Sequence, residues 1–169
     1  MTNLSIKCLT VLMILLAAYC AEAAGPAFYR PLMTNQMVEA QLSRHLAKGA
    51  VAVKPLAALI NRLAKKYDVD QQHIIRVVLH ESKGKEFAYN SKSKDHGLMQ
   101  INERTADDRK LDLACLYTWQ CNLEAGVRII SDLQNAKDFR ICLYNIGKKG
   151  LKRKPKACAA YERKLACLN

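Results

Sequence analysis

Apolar positions recur at helical spacing along most of this chain. The first clear stripe runs from Leu56 to Tyr67 and starts behind Pro55, a residue suited to the first turn of a helix. A second stripe begins after Asp70, a favourable N-cap, and a third begins after Asn122, which is also a good cap. Because alternation of apolar and polar positions is nearly absent, the pattern predicts a mainly α fold with little or no β-sheet.

The second stripe leads to an acidic residue. It contains Ile74, Val77 and Val78, and the same helical step then reaches Glu81. Burial disfavours a charged carboxylate and raises its pKa toward the range where a carboxylic acid donates a proton near neutral pH. The alternative is that the helix ends here and the Glu81 side chain turns to water; this helix alone does not decide between the two.

An amide-rich stretch follows a polar loop. The loop runs from Phe87 to His96, and the stretch from Leu98 to Asn102 then alternates apolar residues with the amides of Gln100 and Asn102. Amide groups offer donors and an acceptor without a charge, which suits the hydroxyl and N-acetyl groups of an amino sugar. A short strand, or a turn with two helix caps, is the alternative interpretation.

Two more features lie toward the C-terminus. Gly126 stands inside the third stripe, where glycine costs about 1 kcal/mol relative to alanine, so we expect close packing against another backbone. Tyr144 and Asn145 follow a short helical segment that holds Phe139 and Cys142. A tyrosine hydroxyl at a helix end can hold a carboxyl group in place, and a core residue followed by a C-cap is the alternative.

The N-terminus has the pattern of an export signal. Lys7 precedes an apolar run over residues 8–18, and Ala21-Glu22-Ala23 supplies a cleavage site of the small-x-small type. The run is short for a membrane span, so a transmembrane anchor is the weaker alternative. A lipid anchor on Cys20 is disfavoured because the bulky Tyr19 precedes it.

Charge narrows the class of partner. The 169 residues include 27 Lys+Arg and 15 Asp+Glu, which gives a net charge of +12 and predicts an acidic partner. Export counts against DNA, and the sequence contains no recognised nucleic-acid motif. We therefore expect no nucleic-acid partner and favour an acidic polymer of the cell envelope, such as peptidoglycan.

Cysteine content agrees with an oxidising compartment. Of the seven cysteines, Cys8 and Cys20 lie in the predicted signal, which leaves five and at most two disulfides within one chain. Cys115 and Cys121 are close enough to close a short loop, and a second bridge is open to three cysteines, Cys142, Cys158 and Cys167. Without CxxC pairs or a second histidine after His80-Glu81, we expect no metal site and no cofactor.

Together these motifs carry a family resemblance. Glu81-Ser82, the run GLMQIN at 97–102, the helix with Gly126 and then Tyr144-Asn145 resemble, in order and spacing, the lytic transglycosylases of the SLT family over residues 55–147. The resemblance implies a lysozyme-like fold with a substrate groove. Within the family, the chain is similar to the small exported enzymes associated with secretion, conjugation or pilus systems.

The resemblance also implies roles for single residues. Glu81 would be the only catalytic acid and base, and Tyr144 would hydrogen-bond to Glu81 and orient it. The implied substrate-binding residues along the groove are Ser82, Met99, Gln100, Asn102 and Asn145. The implied reaction cleaves the β-1,4 bond between N-acetylmuramic acid and N-acetylglucosamine and leaves a 1,6-anhydro end, because one carboxylate first protonates the leaving oxygen and then deprotonates the sugar's own 6-hydroxyl.

Two other functions stay open. A lysozyme-type hydrolase needs a second carboxyl group, and the candidates, of which Asp95 is the foremost, are Glu86, Asp95, Glu103, Asp107 and Asp108. The second open function is a non-catalytic component of an envelope machine that binds glycan. It is disfavoured because burying the Glu81 carboxylate on an apolar face costs free energy unless the group has a use.

Four segments are predicted: a signal peptide at 1–24, an N-terminal appendage or linker at 25–53, a lysozyme-like catalytic domain at 54–147, and a basic, cysteine-containing tail at 148–169 packed on that domain. The tail is either a solvated face or a means of electrostatic retention at the wall. We expect a monomer that is exported to the periplasm or the wall and acts on peptidoglycan, with parts of a secretion, conjugation or pilus apparatus as further partners.

Overall fold

The computed structural model describes residues 32–135, 140–145 and 154–168. The predicted signal peptide, the first residues of the appendage, Phe139 and residues 146–153 lie outside these ranges. The helices are α1 (Asn35–His45), α2 (Val53–Tyr67), α3 (Gln71–Glu81), α4 (Glu103–Asp108), α5 (Leu113–Leu116), α6 (Trp119–Gln134) and α7 (Pro155–Ala166). The predicted mainly α fold is confirmed, with one small sheet between α3 and α4.

Two helix starts were predicted from caps, and one of them is wrong. Asp70 caps α3 as expected, because its carboxylate accepts a hydrogen bond from the backbone N–H of Gln72 at 2.8 Å. Asn122 does not cap the third helix, which begins a turn earlier, behind Thr118. Asn122 lies inside α6 and is fully buried, and its side chain accepts a hydrogen bond from the backbone N–H of Met99.

The predicted stripes meet in one apolar core. The faces of α2, α3 and α6 supply most of its fully buried side chains, among them Ile60, Ile74 and Ile130. Helix α1, which belongs to the predicted appendage, adds Val38 and Leu42 to the same core at zero exposure. Helix α1 of the predicted appendage therefore packs into the same core as helices α2, α3 and α6.

The polar loop folds into a small antiparallel sheet. Its strands are β1 (Tyr89–Asn90), β2 (Asp95–His96) and β3 (Ile101–Asn102), and β2 is the central one. Asp95 pairs with Asn90 on one side and with Asn102 on the other. Because side chains alternate between the faces of a strand, Asp95 and Asn102 share one face while His96 and Ile101 share the other.

Two disulfides fix the C-terminal third. Cys115 pairs with Cys121, as the short spacing suggested, and Cys142 pairs with Cys158, which resolves the choice among the three remaining cysteines. Cys167 is a free, exposed thiol. Helix α7 packs against α3, and its buried Cys158, Tyr161 and Leu165 form a small apolar cluster with Cys142. None of the helices in the described ranges is long and apolar enough to cross a membrane.

Candidate active site

Glu81 lies at the end of α3 and opens onto a polar cleft. Its side chain is half-buried, and the cleft has a volume of about 130 Å³. The residues that line the cleft come from α3, the sheet, α4, α6 and the segment 140–145; they are Glu81, Asp95, Gln100, Ile101, Asn102, Thr105, Ile129, Tyr144 and Asn145. The cleft thus collects four of the predicted site residues around Glu81: Gln100, Asn102, Tyr144 and Asn145.

The surroundings of Glu81 favour its neutral form. Burial is the largest influence and raises the pKa of its carboxyl group, and the negative charge of Asp95 raises it further. Hydrogen bonds from Tyr161 and Asn145 act in the opposite direction and limit the rise. A carboxyl group with a raised pKa retains its proton at a pH where an ordinary glutamate has lost it, as a general acid requires.

Tyr161 is the residue that sequence reasoning missed. Its hydroxyl donates a hydrogen bond to Oε1 of Glu81 at 2.8 Å, although 80 positions separate the two residues. Its ring packs edge-on against His80 with 4.8 Å between the ring centroids. The available signal was the stripe of Cys158, Tyr161 and Leu165 along α7, which places a hydroxyl-bearing ring on a buried helix face.

Tyr144 has a different hydrogen-bond partner from the one that the family resemblance implies. The structure places Tyr144 in the cleft, but its hydroxyl donates to the backbone carbonyl oxygen of Met99 at 2.7 Å rather than to Glu81. The position that donates to the carboxylate is taken by Tyr161. Burial, and then the charge of Glu81, raises the pKa of the Tyr144 hydroxyl well above its usual range, so this group is a donor at any working pH.

The amides of the GLMQIN run are largely used by the backbone. Gln100 has a left-handed backbone (φ 45°), and its Nε2 donates to the carbonyl oxygens of Ala88 and Gly97, both at 3.0 Å. Asn102 donates to Asp95 at 2.9 Å and also accepts a hydrogen bond from the backbone N–H of Arg104, so it caps α4. Both side chains still line the cleft, where their fixed orientation presents polar atoms to a ligand.

Ser82 and Met99 lie outside the lining of the cleft, although the resemblance implies that both line the groove. The Ser82 hydroxyl donates to the carbonyl oxygen of Val78 and accepts from the N–H of Gly84, so it terminates α3. Met99 is fully buried because it fills the space left by Gly126. A Cβ atom at Gly126 would approach the Met99 side chain to 2.6 Å, so the expected close packing is against a side chain and not against a backbone.

Asn122 fixes the loop that carries these residues. Its Oδ1 accepts from the N–H of Met99 at 2.8 Å, and its Nδ2 donates to the carbonyl oxygens of His96 and Leu116. Gly97 lies directly against it, with a left-handed backbone (φ 72°) and only 2.5 Å between an added Cβ and Nδ2 of Asn122. The first residue of GLMQIN is therefore restricted to glycine for two independent reasons.

Asp95 is the second carboxylate of the cleft. Of the five acidic residues considered for a hydrolase, it is the one among the lining residues. Ser93 and Asn102 both donate hydrogen bonds to it. Asp95 therefore lies close enough to influence the charge of Glu81, and its hydrogen bonds hold it in place.

One group of possible metal ligands occurs in the described part of the chain: Cys142, Cys158 and Glu162, whose ligand atoms lie within 4.8 Å of one another. The two cysteines are joined in a disulfide and lack the free thiolates that bind metals. Glu162 is already paired with Arg140. This group does not fit a metal in the oxidised protein.

One known protein family matches the chain. Residues 58–166 match the family described as Transglycosylase SLT domain, which is more than half of the chain. The match includes α7 and therefore Tyr161, beyond the residues from which the resemblance was drawn. No curated protein and no solved structure matches the chain. By this match and by its mainly helical fold, the chain belongs to the SLT family of lytic transglycosylases, which act on peptidoglycan.

Proposed function

We propose that this protein cleaves the β-1,4 bond between N-acetylmuramic acid and N-acetylglucosamine and leaves a 1,6-anhydro end, with Glu81 as the only acid and base. The observation that carries the proposal is the setting of Glu81, a half-buried carboxyl group with a raised pKa in a polar cleft, held by the Tyr161 hydroxyl at 2.8 Å. A neutral carboxylic acid in such a cleft can protonate the glycosidic oxygen.

The reaction proceeds in two proton transfers. Protonated Glu81 gives its proton to the oxygen between the sugars, the bond from that oxygen to the muramic acid breaks, and positive charge develops on the muramic ring. The resulting carboxylate then takes the proton from the 6-hydroxyl of the same ring, whose oxygen attacks the anomeric carbon. Atoms balance without water, and Glu81 ends protonated and ready for another cycle.

The two neighbouring tyrosines have different roles, and only Tyr161 hydrogen-bonds to Glu81. Tyr161 donates to Oε1, so its hydrogen bond strengthens when the carboxylate is charged. Tyr144 fixes the carbonyl group of Met99, which precedes Gln100 in the cleft. We therefore assign Tyr161 as the residue that positions Glu81, and Tyr144 as one that holds the GLMQIN loop against the segment 140–145.

A hydrolase is the second candidate, and one observation favours it. Asp95 lines the cleft with Glu81, and two carboxyl groups across a glycosidic bond are what a hydrolase needs. Mass spectrometry of the muropeptides released from purified peptidoglycan separates the two functions. Anhydro ends support the transglycosylase, whereas reducing ends would identify a hydrolase and direct attention to Asp95→Asn.

The cellular setting remains part of the proposal. Two disulfides and a peptidoglycan substrate support action outside the cytoplasm, in the periplasm or at the wall. We retain the prediction that the protein opens local gaps in the wall for a secretion, conjugation or pilus apparatus. Immunoprecipitation of the protein from cells that carry such an apparatus, with recovery of apparatus subunits as the expected result, tests this part separately.

The two tyrosines give distinct expected results when each is changed to phenylalanine. Tyr161→Phe removes a hydrogen bond that lowers the pKa of Glu81, so that pKa rises further. Because the acid step needs protonated Glu81, activity falls as the pH rises through this pKa, and the alkaline limb of the kcat/KM profile moves to higher pH in Tyr161→Phe. Its kcat falls, because the carboxylate formed in the first step loses a donor.

Tyr144→Phe is the matched control for this shift. This variant loses the hydrogen bond to Met99 that holds the GLMQIN loop, so its activity should fall. Tyr161 and Asn145 still donate to Glu81, so the alkaline limb should move less than in Tyr161→Phe. Both variants should retain the far-ultraviolet circular dichroism of the parent protein. An unmoved pH profile in Tyr161→Phe would remove Tyr161 from the role of positioning Glu81.

A further inference from the structure

A second cavity adjoins the cleft. It has a volume of about 270 Å³ and is lined by Arg109, Leu111, Ala125, Arg128, Ile129 and Asp132. We call it the arginine pocket. Ile129 lines both the arginine pocket and the cleft, so the two are neighbours across this one side chain.

One face of α6 forms a wall of the arginine pocket. Ala125, Arg128, Ile129 and Asp132 are spaced by three or four residues, which places them on the same side of the helix. Ala125 and Ile129 are buried and give this wall an apolar base, while Arg128 is exposed and projects a charge beside it. Arg109, just after α4, supplies a second guanidinium group.

The charges of the arginine pocket do not cancel. Arg109 is paired with Asp132. Arg128 makes no ion pair with any residue of the part of the chain that the structure describes. The three charged groups therefore leave one positive charge in excess. Arg109 is also close enough to the cleft for its charge to act on the hydroxyl of Tyr144.

A substrate bound in the cleft carries negative charge next to this pocket. The sugars of a peptide-bearing strand are uncharged, because the lactyl group of muramic acid is joined to the peptide by an amide bond. The negative charge lies on the free carboxylates of that peptide. The peptide branches from the ring whose bond is cut, so it must leave the cleft over an adjoining surface. A guanidinium group presents a planar set of donors that matches a carboxylate.

We propose that the arginine pocket binds a carboxylate of the peptide carried by the muramic acid in the cleft, with Arg128 as the principal donor. The inference rests on the proposed function, since it takes the position of muramic acid from it. Arg109, held by Asp132, adds donors on the other side of the pocket. The pocket would make the enzyme prefer peptide-bearing strands to bare ones.

The experiment compares two forms of one substrate. Glycan strands with intact peptides are given to the parent protein and to Arg128→Ala, and so are the same strands after amidase treatment. Amidase removes the peptide and leaves a free lactyl carboxylate on each muramic acid, so the comparison separates a carboxylate of the peptide from one on the sugar. The ratio of kcat/KM for peptide-bearing strands to that for bare strands is measured in each case. We expect this ratio to fall about three- to fivefold in Arg128→Ala, the scale of one exposed ion pair. In the parent protein, the same preference should weaken as salt is added.

Arg62→Ala is the matched control, because Arg62 is an exposed arginine on α2 that lines neither cavity. It should leave the ratio at the parent value. An unchanged ratio in Arg128→Ala, or an equal loss on both kinds of strand, overturns the proposal. Failure of the parent protein to form anhydro ends on either strand would instead contradict the proposed function, so the two failures are distinguishable.

Discussion

Glu81→Gln is expected to stop cleavage while leaving the protein folded. Glutamine keeps the shape of the protonated side chain but can neither give a proton to the glycosidic oxygen nor take one from the 6-hydroxyl. General acid and base catalysis contributes roughly 10²- to 10⁴-fold each to a rate. The loss should therefore appear as no detectable release of muropeptides, while the variant still sediments with purified peptidoglycan.

The same substitution has an expected effect on stability. The folded protein raises the pKa of Glu81 above its value in the unfolded chain, so the stability that this group contributes is present at low pH and is lost as the pH rises through the folded pKa. Glutamine resembles the neutral form. At neutral pH, Glu81→Gln should unfold at the same temperature as the parent protein or at a higher one.

Glu86→Gln is the matched control for both effects. Glu86 lies five residues further along and does not line the cleft. This variant should cleave peptidoglycan at the parent rate. Residual cleavage by Glu81→Gln at a rate near that of Glu86→Gln would show that another group is the acid.

Removal of the Cys142–Cys158 disulfide is the second change with a large expected effect. Cys142 lies two residues before Tyr144, and Cys158 lies three residues before Tyr161, one turn away on the same face of α7. The bridge thus joins the segment with Tyr144 and Asn145 to the helix that supplies the donor of Glu81. Both sulfur-bearing side chains are fully buried beside Tyr161.

Two consequences are expected in Cys142→Ala/Cys158→Ala. The bridge closes a loop with a sequence separation of 16, and its loss should lower the free energy of unfolding by about 3 kcal/mol. Displacement of Tyr161 by one ångström can cost roughly 10²-fold in rate, so kcat should fall far more than KM rises. The alkaline limb of the pH profile should move upward, as in Tyr161→Phe.

Cys115→Ala/Cys121→Ala removes the other disulfide and is the control. Its bridge spans α5 and the first turn of α6 and leaves α7 attached. This variant should lose stability without the upward shift of the alkaline limb. If the two double variants have the same pH profile as the parent protein, the Cys142–Cys158 bridge has a structural role alone.

Helices α2, α3 and α6 could be predicted because each has one apolar face and the core requires that face. The stripe from Leu56 to Tyr67, the cap at Asp70 and the position of Glu81 at the end of α3 all depend on neighbours within a few residues. Local sequence contains this information. The family match covers this region and confirms the predicted SLT family.

The contacts that complete the site join residues that are far apart in the sequence, so they could not be predicted from local patterns. Asn122 has the residue type of a helix cap, but its partners Met99, His96 and Leu116 meet only in the folded protein. Tyr161 meets Glu81 across 80 positions, and no local pattern specifies that contact. The family resemblance implied that Met99 lines the groove, whereas Met99 lies in the core because Gly126 leaves room for it.

The most direct test of the central claim is the source of the oxygen in the product. Peptidoglycan is digested in water labelled with heavy oxygen, and the released muropeptides are weighed by mass spectrometry. A single acid and base at Glu81 predicts anhydro products without label from the parent protein and no products from Glu81→Gln. Labelled reducing ends from the parent protein would contradict the account and identify a hydrolase that uses a second carboxylate.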